Sequence, residues 1–313
     1  MSALLFPGQG SQVVGMGSEL YKNFKAVKKI FKQADEILNY SLSKLILEGP
    51  EEKLLLTKNT QPGILTVSYS IYKVLRDEFN FDCKSFKYFA GHSLGEYSAL
   101  VCSESLNFDD ALYLLHERGK AMQEAVPLGE GSMVAVLGMK SEEIINLLET
   151  SVKDKDVCEI ANDNSDGQVI ISGNKEGVSL FQSHLSQKKI RTIPLKVSAP
   201  FHCSLMKPAA IRMEEKIINT KFNKPTFKII NNVTAQEEDN PERIKKLLVD
   251  QIFSTVRWRE SIINMSDKGV KNFVEIGPGK VLTGMVKRTI KGANCFSINS
   301  IADIKNLVNE FKK

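Results

Sequence analysis

The chain contains 313 residues, of which 42% are hydrophobic and 25% are charged, and its formal net charge is +5. This composition is typical of a globular protein, and the length allows one large domain with an insertion, or two domains. No apolar window is long enough to span a bilayer, and no basic segment precedes an apolar one at the N-terminus, so neither a membrane-spanning helix nor a signal peptide is predicted. The lysines are spread along helices and form no basic block, so we expect no nucleic-acid ligand, whereas an anionic substrate or an acidic partner would suit the mild positive charge.

The cysteines are odd in number, scattered, and never spaced as CxxC: Cys83, Cys102, Cys158, Cys203 and Cys295. This pattern indicates neither a zinc site nor a disulfide framework. We therefore expect a reducing, cytoplasmic location and no metal. The lack of a long apolar window predicts no membrane association.

The first 125 residues alternate short apolar runs with longer segments of helical periodicity. Residues 4–6 and 87–90 are predicted strands, and residues 20–38 and 62–79 are predicted helices. Such an alternation predicts an α/β layer fold.

Glycines follow the first predicted strand at positions 8, 10, 15 and 17. A strand that opens into a glycine loop can begin a dinucleotide-binding fold, but Val13 stands where the third glycine of that fingerprint belongs. The segment also lacks the GxxxxGK[ST] pattern of a P-loop. The loop is therefore not predicted to hold a nucleotide phosphate.

The strongest local motif is GHSLG at residues 91–95, which follows a predicted strand and precedes a predicted helix. That context is typical of a nucleophile elbow, in which a serine sits on a strained turn between glycines. Ser93 is thus the candidate nucleophile. The amide of Leu94, at the helix N-terminus, could face an oxyanion. The alternative is a glycine-rich turn with an incidental serine.

Arg118 interrupts an apolar helix face that otherwise contains Ala111, Leu115, Met122 and Ala125. A charge in that position must find a partner or reach the edge of the core. Two interpretations stay open: a structural cation, ion-paired or snorkelling to solvent, or a guanidinium that binds the carboxylate of a ligand.

From residue 131 the order of predicted elements becomes β-α-β-β-α-β, which is the ferredoxin-like signature. Ser141 is the predicted cap of the first helix in this region. We place an inserted subdomain at residues 126–198, and a discontinuous main domain at residues 1–125 and 199–313. The main domain includes a late strand and turn, NFVEIGPG, at residues 272–279.

A nucleophilic serine needs a base, and the chain has four histidines. His92 adjoins the serine and should point away from it, His116 lies on the predicted solvent side of its helix, and His184 lies in a surface-type helix. His202 remains, where the chain re-enters the main domain beside a predicted cleft. By elimination it is the candidate base, and the alternative is a structural histidine.

Seven segments in order along the chain resemble signatures of the malonyl-CoA:acyl carrier protein transacylase family. They are FPGQGSQ (6–12), GHSLGEYSAL (91–100), RGKAMQ (118–123), NSDGQVIISG (164–173), FHCSLMKPA (201–209), NNV (231–233) and VEIGPGKVL (274–282). The resemblance implies an α/β-hydrolase-like core with a parallel sheet and an inserted ferredoxin-like α+β subdomain.

The resemblance also implies roles for individual residues. Ser93 would be the nucleophile and His202 its base, oriented by the backbone carbonyl of Gln251. The amides of Gln9 and Leu94 would form the oxyanion hole, which gives the glycines of the first loop a purpose. Arg118 would bind the carboxylate of the substrate. The residues expected to line the cleft are Asn162, Asn164, Phe201 and Met122.

The implied activity is ping-pong transfer of a malonyl group from malonyl-CoA to the phosphopantetheine thiol of holo-acyl carrier protein, which supplies fatty acid elongation. It implies no metal or bound cofactor, an acidic carrier-protein partner and a monomer. Asp163 and Asp166 depart from the expected pattern, because carboxylates near a cleft for anions are unfavourable. A serine hydrolase and a non-catalytic interaction module are the alternatives, but neither needs Arg118 together with Ser93 and His202.

Overall fold

The computed structural model describes residues 1–152, 155–195, 197 and 199–312. Within them, the chain forms two separate β-sheets surrounded by helices. The strands are β1 Ser2–Phe6, β2 Phe86–Gly91, β3 Gly131–Leu137, β4 Cys158–Ser165, β5 Gln168–Asn174, β6 Arg191–Pro194, β7 Lys228–Ile230, β8 Glu237–Glu238, β9 Asn272–Ile276 and β10 Asn294–Ile298. The helices of the main domain and the insert are α1 Ser18–Asn23, α2 Lys25–Leu38, α3 Leu42–Glu48, α4 Glu51–Leu54, α5 Thr57–Lys73, α6 Gly95–Cys102, α7 Phe108–Glu124, α8 Ser141–Ser151, α9 Lys175–Gln187, α10 Lys207–Asn219, α11 Pro241–Gln251, α12 Trp258–Asp267, α13 Val281–Thr289 and α14 Ile301–Phe311.

The larger sheet has the strand order β10-β9-β1-β2-β7-β8, and only the short edge strand β8 is antiparallel to its neighbour. Every residue of β1 is buried, because helices cover both faces of the sheet. In parallel sheets the loops at the carboxyl ends of the strands form the ligand crevice. The loops after β1, β2 and β7 therefore meet at one edge of this sheet.

The smaller sheet is antiparallel, with the order β4-β5-β3-β6, and α8 and α9 belong to the same unit. Val134, Ile144 and Phe181 lie in its separate hydrophobic core. The predicted α/β fold with an inserted β-α-β-β-α-β unit is thus confirmed. All four strands of this sheet fall inside the proposed insert, residues 126–198. Lys196, which belongs to the predicted last strand, and Ser198 lie outside the described residues.

Two predicted helices have different bounds in the structure. The predicted helix 20–38 is divided into α1 and α2, because Phe24 between them adopts an extended backbone with φ −120°. The predicted helix 62–79 begins earlier, at Thr57, and places Pro62 in its interior. Proline has no N–H to donate to the carbonyl four residues back.

His116 compensates for that missing bond, and this corrects its predicted solvent-facing position. Its Nδ1 lies 3.0 Å from the carbonyl oxygen of Lys58, the acceptor that Pro62 leaves without a helical donor. The imidazole is half-buried and its ring centroid lies 5.6 Å from that of Tyr40. This histidine therefore completes the hydrogen bonding of α5.

The predicted Ser141 cap is also wrong. Lys140 occupies the N-cap position of α8, and its amide donates to Glu143 Oε2 at 2.9 Å. The hydroxyl of Ser141 is buried and has no hydrogen-bond partner within the described residues. Nowhere in the described part of the chain is a helix both long and apolar enough to cross a membrane.

Candidate active site

Ser93 lies on a tight turn between β2 and α6, with a left-handed φ of 53°. A Cβ at Gly91 would lie 1.9 Å from the carbonyl of Gly95, and a Cβ at Gly95 would lie 2.1 Å from the carbonyl oxygen of Phe6. Both distances are far below van der Waals contact. The glycines on either side of the serine are therefore required by close backbone packing.

Asn232, which follows β7, holds the strained turn in place. Its Oδ1 accepts a hydrogen bond from the amide of Ser93 at 2.7 Å, and its Nδ2 donates to the carbonyl of Gly91 at 2.7 Å. Both bonds are buried, so losing them would leave backbone groups unsatisfied. The sequence assigned no role to this asparagine, although it lies in the NNV segment.

His202 connects the serine to a backbone carbonyl. Its Nε2 lies 2.8 Å from Ser93 Oγ, and its Nδ1 lies 2.8 Å from the carbonyl oxygen of Gln251. A carbonyl oxygen only accepts, so Nδ1 carries the hydrogen and Nε2 is left to accept the serine proton. The arrangement has the polarity of a serine–histidine pair oriented by a neutral acceptor.

Burial and, to a smaller extent, the positive charge of Arg118 lower the pKa of His202 to about 3. The imidazole is therefore neutral at physiological pH and its Nε2 lone pair is available. The neutral form is also the one that suits a site beside a buried cation, because a protonated imidazole there would face a like charge.

The backbone amides of Gln9 and Leu94 have no hydrogen-bond acceptor among the described residues. Both residues line the same cavity as Ser93. The loop that carries Gln9 packs against the elbow so closely that a Cβ at Gly8 would lie 2.6 Å from the carbonyl oxygen of His92. Free backbone N–H groups beside a nucleophile can stabilise a tetrahedral oxyanion.

Arg118 is fully buried on α7, with 0% of its surface exposed. Its Nη1 donates to Gln61 Oε1 at 2.8 Å, and its Nη2 donates to Gln251 Oε1 at 3.0 Å and to Ser93 Oγ at 3.2 Å. All three acceptors are neutral, and the side chain forms no ion pair within the described residues. Neither structural interpretation of Arg118, an internal ion pair or snorkelling to solvent, therefore describes what is observed.

The approach of α5 to α7 supplies one of these contacts. A Cβ at Gly119 would lie 2.6 Å from Lys58 Cα, so only glycine lets the two helices come this close. The contact places Gln61, next to Pro62 in sequence, within reach of Arg118. Sequence reasoning missed Gln61, because nothing local connects it to a residue on another helix.

Ser93, His202 and Arg118 line one cavity of about 100 Å³. Its lining residues are Gln9, Gln61, His92, Ser93, Leu94, Arg118, Met122, Met133, Asn162, Leu195, Val197, Phe201 and His202. Met122, Asn162 and Phe201 are thus found where the cleft was expected. Asn164 is not among the lining residues, since it lies behind His92 and its Oδ1 is 2.8 Å from His92 Nε2.

The two acidic residues that departed from the expected pattern do not face the cavity. Asp163 is buried and paired with Arg259, whose Nε lies 3.0 Å from both carboxylate oxygens. Asp166 is exposed. Their charges therefore do not oppose an anionic ligand in the cavity. Among the described residues, no group of three or more histidine, cysteine, aspartate or glutamate side chains is arranged to hold a metal ion.

Comparisons with known proteins give one consistent result. Residues 3–311 match the acyl transferase domain family. The chain is 42% identical over 313 residues to a malonyl CoA-acyl carrier protein transacylase of Bacillus subtilis, covering 99% of this chain and 97% of that protein. It is 41% identical to the protein of the same name from Escherichia coli K12, covering 95% of each.

Solved structures agree with these relatives. An acyl-carrier-protein-S-malonyltransferase from Bartonella henselae superposes with a TM-score of 0.96 at 40% identity, covering 100% of this chain and 99% of the other. A malonyl-transacylase solved in complex with a type II PKS acyl-carrier protein superposes with a TM-score of 0.95 at 39% identity, covering 99% of each chain.

Proposed function

The chain belongs to the acyl transferase domain family and, within it, to the malonyl CoA-acyl carrier protein transacylases, and from this premise we propose that Ser93 carries the malonyl group as a covalent acyl-enzyme. The protein is an S-malonyltransferase that moves a malonyl group from malonyl-CoA to acyl carrier protein for fatty acid synthesis. The observation that carries the mechanism is the continuous contact from the Gln251 carbonyl through His202 to Ser93 Oγ, beside Arg118, which contacts only neutral acceptors among the described residues.

In the first half-reaction, Ser93 Oγ attacks the thioester carbonyl carbon of malonyl-CoA while His202 Nε2 takes the hydroxyl proton. The carbonyl oxygen becomes an oxyanion that the amides of Gln9 and Leu94 stabilise. When this intermediate collapses, the carbon–sulfur bond breaks and His202 returns the proton to the departing coenzyme A sulfur. The malonyl group is then an ester of Ser93.

The second half-reaction reverses these steps with a different thiol. The phosphopantetheine thiol of holo-acyl carrier protein gives its proton to His202 Nε2, and its sulfur attacks the ester carbonyl. Collapse breaks the carbon–oxygen bond, and Ser93 Oγ recovers the proton. Nucleophile, base and oxyanion donors all come from the chain itself, so the reaction draws on no bound cofactor or metal.

Arg118 provides the selectivity in this proposal. A malonyl carboxylate would give the buried guanidinium a direct anionic contact, which no described residue provides. Its negative charge would also offset the part of the lowering of the His202 pKa that comes from Arg118, so the base becomes stronger when the correct substrate is bound. A hydrolase acting on uncharged esters would have no use for a buried arginine against its nucleophile, which favours a transferase of carboxylated acyl groups.

The partner in the second half-reaction is proposed to be an acidic carrier protein, which the net charge of +5 would attract. We also propose that the protein acts as a monomer. Every residue given a role in the mechanism comes from one chain, so the site is complete without a second copy.

Mass spectrometry of the intact protein tests the whole scheme. Incubation with malonyl-CoA should add one malonyl group, which peptide mapping should locate on Ser93, and holo-acyl carrier protein should then remove it and gain the same mass. Rapid loss of the adduct as free malonate without the carrier protein would instead favour the hydrolase alternative. The absence of any adduct would contradict the acyl-enzyme.

Replacing Arg118 with alanine should remove the preference for malonyl-CoA over acetyl-CoA. We expect malonyl acylation to weaken by about 2–5 kcal/mol, the usual effect of truncating one partner of a buried charged pair. Acetyl-CoA makes no use of the guanidinium, so its relative rate should rise. Single-turnover acylation rates with the two thioesters measure the ratio.

Arg76→Ala is a suitable control for this substitution. Arg76 is partly exposed and pairs with Asp77 and Glu104. An unchanged malonyl-to-acetyl ratio in Arg118→Ala, with both variants folded, would remove Arg118 from substrate recognition.

A further inference from the structure

A buried carboxylate lies one side chain away from Arg118 and has no role in the mechanism above. Glu96, on α6, is 1% exposed, and its Oε2 accepts a hydrogen bond from Gln251 Nε2 at 2.8 Å. The other end of the same amide, Gln251 Oε1, accepts from Arg118 Nη2 at 3.0 Å. Gln251 is itself fully buried, so this amide forms a dry bridge between an anion and a cation.

The donors around Glu96 require an acceptor with two oxygens. Oε1 accepts from Asn231 Nδ2 at 2.6 Å, and Oε2 also accepts from the amide of Asn232 at 3.1 Å. Asn231 cannot reverse its own amide, because its Oδ1 already accepts from the amide of Val233 at 2.8 Å. A carboxylate is the acceptor-only group that satisfies these donors together.

The orientation of the Gln251 amide follows from this arrangement. Its NH₂ end must face the carboxylate of Glu96, so its oxygen must face the guanidinium of Arg118. An amide in this orientation interacts favourably with both charges while keeping them apart. Burial raises the pKa of Glu96 to about 7, and the surrounding donors and the charge of Arg118 oppose that rise.

We propose that Glu96 is the buried counter-charge of Arg118, and that Gln251 is a spacer that holds it out of direct contact so that the guanidinium stays available to the carboxylate of the acyl group. The inference rests on the proposed function. A buried arginine with no counter-charge would be costly, whereas a direct ion pair would have to be broken before substrate could bind. The bridge through Gln251 gives Arg118 a nearby counter-charge without a direct ion pair.

The hydrogen-bonding capacity of Arg118 is consistent with this role. Nη1 of Arg118 donates one hydrogen bond and Nη2 donates two. Nε has no acceptor within the described residues. A guanidinium presents five N–H groups, so donors remain for a carboxylate. Glu96 and Gln251 are thus positioning residues that determine selectivity through Arg118.

The double variant Glu96→Gln/Gln251→Glu tests the spacer directly. It keeps the side-chain sizes and the total charge, but it moves the carboxylate into direct contact with Arg118. The malonyl-to-acetyl preference of Ser93 acylation should then fall by about 100-fold, because the malonyl carboxylate must displace a buried ion pair. Single-turnover acylation with each thioester gives the ratio, and labelling of Ser93 by phenylmethylsulfonyl fluoride reports the reactivity of the serine separately.

Gln251→Glu alone supplies a second test that does not depend on the folding of the double variant. The introduced carboxyl group would face Glu96, Arg118 and the neutral His202, and the backbone carbonyl at position 251 would still hold His202. Two adjacent carboxylates share a proton at low pH, so the introduced side chain would then resemble the natural glutamine. As the pH rises and that proton is lost, the malonyl-to-acetyl preference should fall by about tenfold or more relative to the unmodified protein.

Glu275→Gln is the matched control, because Glu275 is also fully buried but accepts from the amides of Leu282 and Thr283, away from the cavity. A retained preference in the folded double variant, or a preference in Gln251→Glu that does not change with pH, would overturn the spacer. Equal losses with malonyl-CoA, acetyl-CoA and the sulfonyl fluoride would also overturn it, since both residues would then merely support the serine. Failure of the proposed function is distinguishable, because the unmodified protein would form no malonyl adduct on Ser93.

Discussion

Replacing Ser93 with alanine should abolish covalent labelling by malonyl-CoA and reduce malonyl transfer by at least about 10⁴-fold, as in other enzymes that lose a serine nucleophile. The substitution removes the one oxygen that contacts both His202 Nε2, at 2.8 Å, and Arg118 Nη2, at 3.2 Å. No other hydroxyl among the residues that line the cavity can replace it. Intact-protein mass spectrometry and a carrier-protein malonylation assay measure the two effects.

Ser98→Ala is the control for this experiment. Ser98 is also fully buried, lies on the adjoining helix α6, and has a hydroxyl with no partner within the described residues. This variant should acylate at the rate of the unmodified protein. An acyl group that still formed on folded Ser93→Ala protein would show that another residue is the nucleophile.

Replacing His202 with alanine should slow acylation of Ser93 by about 10²–10⁴-fold, the usual contribution of a positioned general base. The serine hydroxyl would lose its proton acceptor, while the oxyanion donors and Arg118 would remain. Rapid-quench measurement of the malonyl adduct gives the rate, and added imidazole should restore part of it if the vacated space admits the base.

The pH behaviour of His202 provides an independent check. An unperturbed imidazole titrates near 6.5, but burial and Arg118 lower this pKa to about 3. Because a lowered pKa favours the neutral base, the ring should stay unprotonated from pH 8 down to about pH 4. The imidazole signals of ¹³C-labelled histidine, assigned with His202→Ala, would follow this titration directly.

His184→Ala is the control for the His202→Ala substitution. His184 is half-buried on α9, where its Nδ1 lies 2.9 Å from the Leu180 carbonyl oxygen. The control substitution should leave the acylation rate unchanged. A near-normal rate in folded His202→Ala protein would remove the imidazole from the mechanism.

The sequence was most informative where function depends on contiguous residues. The pentapeptide around Ser93 predicts a tight turn from its glycines alone. The structure shows why glycine is needed there, because the backbone packs too closely at Gly91 and Gly95 for a Cβ. Helical periodicity likewise identified Arg118 as a charge on an apolar face. The β-α-β-β-α-β order predicted the second sheet, because each element is determined mainly by local periodicity.

The sequence was least informative where a side chain forms a hydrogen bond that depends on the surrounding fold. The helix face of His116 predicts exposure to solvent, yet its imidazole bonds to the carbonyl that Pro62 leaves free on another helix. Ser141 was expected to cap α8 on residue type alone. Asn164 was expected in the cavity, but its amide supports His92.

The sequence by itself determined the family, the α/β fold with its ferredoxin-like insert, and the identity of the residues proposed for catalysis. Only the tertiary structure decided how these residues are charged and connected: that Arg118 has no anionic contact among the described residues, that His202 is held neutral, and that Gln251 separates Arg118 from Glu96. Glu96 and Gln251 are 155 positions apart in the chain. Periodicity and motifs describe neighbours along the chain, whereas desolvation and hydrogen-bond partners depend on which distant segments meet in the folded protein.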